Sequence, residues 1–403
     1  MQKGFTQIIF IIIILLASGG IVVGSYLIKN NLKNVSSNSA KNVEFNHQQT
    51  SQKTPERIDF DSSCFPQDIY KDKAVCIDEA GQVNLLELPS MKKTQITNVT
   101  SRKYFAQIEG NYIAWLDERA QVVGSTSTRN GVSGPVRQDR IGQDIFLYNL
   151  TTKEEKKITT TPATRTELQL NENYIVWTEQ RGDITLENYR KNEIHIFDIS
   201  LSKEIFSSTV SSTKKQLRLW KDKLVWADSR NGKDTGCDNC ANNRFDIYLY
   251  DFKTGQEKIL VEGPYLKIDP DIEENSLVWI DYRNKMSDVY LMDISTGKEK
   301  QITNANDNEV NSRIENGRVF WSVRWACDVG PIKIATGSGS QIKSPSSQFG
   351  DLDTGVYVYN LSTQEKKKLT DYVEPSFIVS GNLVVIGEGC HGVKPKVYGI
   401  YVD

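Results

Sequence analysis

One short pattern recurs along this 403-residue chain and limits what it can become more than any other feature. Its fullest copy is Ser276-Leu277-Val278-Trp279-Ile280-Asp281-Tyr282-Arg283, followed by Asp288-Val289-Tyr290-Leu291-Met292-Asp293-Ile294-Ser295-Thr296-Gly297. Apolar alternation closed by an acid, then a second alternating run closed by Asp-x-Ser-Thr-Gly, reads as two β-strands and two turns. Trp115, Trp177, Trp226 and Trp321 hold the place of Trp279, and Cys76 and Val385 hold it in weaker copies at the two ends. The shortest intervals between copies approach the roughly 40–45 residues of a propeller blade. An all-β, seven-bladed β-propeller over residues 57–403 is therefore the expected fold, each blade burying its faces against two neighbours.

Each unit divides into four strands, a to d. In the fifth these are KIDPDI, SLVWIDY, DVYLMDI and KEKQIT. The seventh unit stops after its third strand, KVYGIYVD, while RIDF at residues 57–60 precedes the first unit and has none of its own. Unpaired edges invite aggregation, so RIDF is predicted to supply the missing outer strand and close the ring.

The pattern apolar-Val-Trp-x-Asp-x-Arg … Asp-Ile-Tyr-x-Tyr-Asp-x-x-Thr-Gly resembles the TolB-type, WD-repeat-like propeller repeat. It also resembles the propeller repeats of bacterial and archaeal cell-surface proteins. Residues 277–297 and 224–255 carry it best, and 113–150 and 175–199 less fully. The resemblance implies the propeller and says little about activity.

The first 56 residues differ in kind. Residues 8–28, IIFIIIILLASGGIVVGSYLI, carry no charge and are long enough to cross a bilayer as a helix, so residues 1–29 read as a transmembrane anchor. A cleaved signal is the competing reading, with Ala17-Ser18-Gly19 as its cut site, although the apolar run is longer than usual for one. Lys3 before the span and Lys29 and Lys33 after it leave its orientation open. Lys3-Gly4-Phe5-Thr6 resembles the cleavage site of type IV prepilins, with Ile9 where their glutamate stands; that resemblance implies a pilus-associated minor subunit as an alternative. Residues 30–56, rich in Asn, Ser, Gln and Lys, read as a flexible linker.

Charge is nearly balanced, 49 basic against 51 acidic side chains, so no nucleic-acid partner is expected. Six cysteines without metal partners suit an oxidising exterior. With the anchor, they predict a propeller on the extracytoplasmic side, at the cell surface. Cys237 and Cys240 are expected to close a local disulfide. Cys327 is placed to pair with Cys390, or Cys64 to reach Cys390 instead, and Cys76 reads as a small core residue.

In blades 2 to 5 a carboxylate follows the tryptophan by two residues and an arginine by four: Asp117/Arg119, Glu179/Arg181, Asp228/Arg230 and Asp281/Arg283. Strand c of the same blades opens with Asp144, Glu193, Asp246 and Asp288. Each arginine is expected to bridge the two acids of its own hairpin mouth; the sharper reading is a ring of charge that binds a ligand. One acid per strand end does not make a calcium loop, and no metal or cofactor is expected. The b–c loops hold most of the length variation and share one face, so that face is the candidate binding site. Arg137 and Arg140 in blade 2 and Arg324 and Trp325 in blade 6 are its candidates for contacting an envelope protein or glycan.

Enzyme signatures are missing: GSGSQ at 337–341 lacks the nucleophile-elbow spacing, and His47, His195 and His391 are scattered. Asn98-Val-Thr100, Asn149-Leu-Thr151 and Asn360-Leu-Ser362 match glycosylation sequons, the last two in turns where other blades carry Asp. The sequence therefore predicts a membrane-anchored binding or adhesion module, not an enzyme. An envelope glycan hydrolase or lyase working on the b–c face is the rival class.

Overall fold

The residues around each repeat tryptophan are buried on both faces. In the fifth blade Leu277 to Asp281 lie inside without a break, because strand b is flanked by strands within its sheet and by neighbouring blades across both faces. Its outermost strand, Lys298–Gln301, is exposed throughout. Charge along that strand blunts an edge that would otherwise recruit another chain. The computed structural model describes residues 57–119, 142–180, 190–232, 244–284, 286–304, 307–323, 354–371, 375–388 and 396–402. The anchor expected at 8–28, the linker at 30–56 and most of the long b–c loops lie outside them. Among the described residues no helix is long and apolar enough to cross a membrane.

These residues form seven four-stranded antiparallel sheets. The inner strands are Pro66–Tyr70, Lys103–Glu109, Thr164–Leu170, Lys214–Trp220, Lys267–Glu273, Glu309–Glu315 and Pro375–Ser380, and they touch one another in cyclic order around a central axis. The ring closes as expected. Arg57–Phe60 pairs antiparallel with Lys396–Tyr401, placing Ile58 opposite Gly399 and Phe60 opposite Val397. Ile58 and Phe60 are buried, while Arg57 and Asp59 face out.

Within a blade the tryptophan organises the side chains. Trp279 lies opposite Tyr290 across the ladder, the rings 5.6 Å apart, and its indole N–H donates to Asp281 at 3.0 Å. Trp115, Trp177 and Trp226 donate likewise to Asp117, Glu179 and Asp228. The acid two places on thus satisfies a buried indole. His195 takes the aromatic position of blade 3 and stacks on Trp177 at 5.4 Å.

Cys76, expected to be a lone core residue, is buried but bonded to Cys64, with Cα atoms 5.3 Å apart. The pairing of Cys64 with Cys390 is thereby overturned. Cys64 lies just ahead of the first inner strand and Cys76 at the tryptophan position opposite Pro66, so the two are already neighbours across one hairpin.

Five inner strands share a distortion. Phe105, Glu167, Gln216, Asp269 and Asn311 have φ between 50° and 59°, each at a break in register between strands a and b. The bulge turns a backbone N–H out of the ladder, and a side chain of the preceding blade accepts it. Gln67 accepts from Ala106 at 2.8 Å, Glu167 from Gln216 at 3.0 Å, Gln216 from Asp269 at 2.9 Å and Asp269 from Asn311 at 2.8 Å. The inner strands are laced together blade to blade.

Candidate functional site

Eight places ahead of each tryptophan position, every inner strand sends one residue toward the axis: Asp68, Gln107, Gln169, Arg218, Asp271, Arg313 and Phe377. Together they line a central cavity of about 610 Å³. Phe65, Phe105, Ile378 and Val379 add an apolar wall from the first, second and seventh blades. Arg218, Asp271 and Arg313, from the fourth, fifth and sixth, form the charged wall opposite.

The charged wall is unevenly partnered. Asp271 accepts the backbone N–H of Ile314 at 3.0 Å and of Ile272 at 2.9 Å, and Asp68 that of Ile108 at 2.9 Å. Both acids are pinned by the scaffold. Arg218 and Arg313 each donate to one carbonyl of their own strand, Leu217 at 2.8 Å and Ser312 at 2.7 Å. Among the described residues neither forms a salt bridge. Burial, with Arg218 close by, pushes Arg313 down to about 10, so it stays a cation at neutral pH. Burial raises Asp271 and carries Asp68 up to about 7.

At the end of the channel formed by the a–b turns, acids collect. Burial, with Asp68, Glu172 and Glu315 nearby, pushes Glu109 up to about 7. Burial, with Glu273 and Asp271 nearby, does the same to Glu315. This face is short in loops but strongly acidic at its mouth.

The arginines expected to form a ring lie elsewhere. Arg283 donates to Asp281 at 2.6 Å and to Glu299 at 2.9 Å, with its guanidinium 4.3 Å from the centre of the Tyr290 ring. Arg119 joins Asp117 at 2.7 Å and Glu155 at 2.6 Å over Phe146, and Arg230 joins Asp228 and Glu257 over Tyr248. The second acid thus comes from strand d and not from Asp144, Asp246 or Asp288, because the aromatic ring of strand c carries the guanidinium outward across the sheet. Arg137, Arg140, Arg181, Arg324 and Trp325 lie outside the described residues, as do Cys237, Cys240, Cys327 and Cys390.

A second set of residues escaped the reading of the sequence although its signal is regular. Twelve places ahead of the tryptophans stand Lys103, Arg165, Lys214 and Lys267, all buried. Each donates to carbonyls of the linker that enters its blade: Lys103 to Val99 at 2.8 Å, Arg165 to Thr161 at 2.6 Å, Lys214 to Val210 at 2.6 Å and Lys267 to Tyr265 at 2.9 Å. In the first blade the same two positions are Cys64 and Cys76, where the disulfide stands in for cation and indole.

No protein-family model matches the sequence, and no curated protein does. Solved structures share the fold. The β-propeller domain of the trilobed protease from Pyrococcus furiosus superposes with a TM-score of 0.53 at 15% identity, covering 86% of this chain and 93% of that one. The oligogalacturonate lyase from Vibrio parahaemolyticus gives 0.53 at 12%, covering 86% and 90%. The acylaminoacyl peptidase from Pyrococcus horikoshii gives 0.54 at 13%, covering 85% of this chain and 52% of that one. At such identities the likeness establishes the propeller and nothing further. The Pyrococcus furiosus domain is described as having an open velcro topology; here Arg57–Phe60 completes the last sheet.

Proposed function

We propose that this protein is a membrane-tethered, extracytoplasmic propeller that binds an anionic, partly apolar ligand in its central cavity. Residues 8–28 are its bilayer anchor and residues 30–56 the linker to the propeller. Arg218 and Arg313 receive the anionic group, and Phe65, Phe105 and Phe377 receive the apolar part. The observation that carries this reading is two guanidiniums lining one central cavity with no salt bridge among the described residues. Asp271 lies within the field of both arginines but is held by backbone amides, and a ligand anion would complete the guanidinium hydrogen bonds that the scaffold leaves open. The volume is in the range of small-molecule sites.

Entry is from the b–c face, where the inner strands begin. On that side Arg137, Arg140, Arg324 and Trp325 would add contacts to an envelope glycan or protein bearing the ligand. Asp68 and Asp271 are committed to backbone amides of the next blades, which supports binding over a hydrolase or lyase built on a free acid pair.

The test uses 8-anilinonaphthalene-1-sulfonate, an anionic aromatic probe, titrated by fluorescence into the full chain and into Arg218→Met/Arg313→Met. Tenfold or greater loss of affinity in the variant, with binding that weakens in salt, supports the reading. Equal affinity for both overturns it.

A further inference from the structure

The junction between the fifth and sixth blades reverses a charge pairing that the three junctions from the second to the fifth blade share. Three of the buried cations at the start of an inner strand face the acid that opens strand c of the blade before. Arg165 lies 3.7 Å from Asp144, Lys267 lies 3.9 Å from Asp246, and Lys214 feels the charge of Glu193. In the sixth blade that position is Glu309, 1% exposed, and the acid before it is Asp288, 2% exposed. A carboxylate stands where blades 2 to 5 carry a cation.

The surrounding donors do not make up the deficit. Asp288 receives the Asn284 amide at 3.0 Å on one oxygen, while its Oδ1 is buried with no hydrogen-bond partner. Oε2 of Glu309 is buried and unpartnered in the same way. In the second blade Thr159 donates its hydroxyl to Asp144 at 2.9 Å. Here the matching Thr303 serves Glu309, so Asp288 loses that donor. Ser287 is turned away too, donating to Asn308 at 3.1 Å. Two buried carboxylates, close enough for Asp288 to act on Glu309, therefore each keep one empty oxygen.

We infer that a hard divalent cation of the calcium class binds between Asp288 and Glu309 at the junction of blades 5 and 6. Two carboxylate oxygens neutralise such an ion, and the neutral oxygens nearby, those of Thr303, Ser287 and Asn308, are of the type it prefers. Softer metals want nitrogen or sulfur, which the site lacks. Among the described residues no third acid or histidine completes a metal cluster, so water fills the rest of the shell. The affinity expected is that of weak extracellular calcium modules, about 10⁻⁴–10⁻³ M. The ion would do for this junction what Arg165 and Lys267 do for theirs, tying one blade to the next.

The full chain, purified in detergent, is melted by tryptophan fluorescence in EDTA and in millimolar CaCl2. Calcium is expected to raise the melting temperature by about 2–4 °C. Glu309→Lys, which restores the repeat's cation, is expected to lose the calcium response and to melt in EDTA no lower than wild type does in calcium. Glu309→Gln, nearly isosteric, is expected to lose the response without that gain, and covers the case in which the lysine variant does not fold. A terbium titration read by sensitised luminescence checks binding directly: wild type saturates and both variants do not. An unchanged wild-type melt and no terbium signal overturn the inference. A calcium response that survives in Glu309→Gln overturns it as well.

Discussion

The carboxylate of Asp269 in the fifth blade accepts the backbone N–H of Asn311 in the sixth at 2.8 Å. Asp269 is itself held by the fourth blade, its N–H donating to Gln216 at 2.9 Å and its other oxygen receiving the Gln216 amide at 2.5 Å. Three blades are joined through Gln216, Asp269 and Asn311, whose φ values of 59°, 50° and 57° belong to the bulges of the inner strands.

Asp269→Ala should therefore strand a backbone donor between blades and lower stability by about 1–3 kcal/mol. Asp269→Asn keeps one accepting oxygen and should lose less. Urea unfolding of the two variants measures the difference; equal losses would place the effect in packing and not in the hydrogen bond.

Asp281 and Glu299 hold the same arginine from opposite sides and should behave differently. Asp281 is fully buried and accepts from the Trp279 indole, the Arg283 backbone and the Arg283 guanidinium. Its replacement by alanine strands the buried indole donor and the Arg283 backbone N–H and leaves Arg283 with Glu299 alone, at about 1–3 kcal/mol. Glu299 is 31% exposed, and Glu299→Ala should cost about 0–1 kcal/mol. Denaturant midpoints of the single variants decide it.

The Cys64–Cys76 bond closes a short loop, with a sequence separation of 12. Cys76→Ser should destabilise the propeller by about 2–4 kcal/mol, since the unfolded chain regains that loop's freedom. A peptide map without reductant should recover Cys64 and Cys76 in one linked species. Two separately alkylated peptides would contradict the bond.

Stability should fall as pH rises through the acidic channel. Asp68 and Glu109 are held near 7 in the folded chain, above the 3.8 and 4.5 they have when unfolded. The native state thus keeps protons that the unfolded state has lost, so the penalty is absent below about pH 4 and complete above about pH 7. Asp68→Asn and Glu109→Gln should each flatten this slope, matching wild type at low pH and exceeding it at high pH. Thermal melts across that range test the sign.

Much of this architecture is legible in the chain itself. Trp115, Trp177, Trp226, Trp279 and Trp321 mark strand b because alternation and burial within one hairpin are local properties, written in consecutive residues. The missing outer strand of the last unit and the spare RIDF at 57–60 likewise revealed the closure, since an unpaired edge must find a partner. Contacts between blades are different. Whether Arg283 turns toward Asp288 or over Tyr290 to Glu299, which residues meet on the axis at Arg218, Asp271 and Arg313, and why Glu309 faces Asp288 depend on the bulge of each inner strand and the angle between adjacent sheets. The residues involved do recur at constant offsets from the tryptophans. Their partners belong to the next blade, some forty or more residues away, and only the closed ring brings the two together.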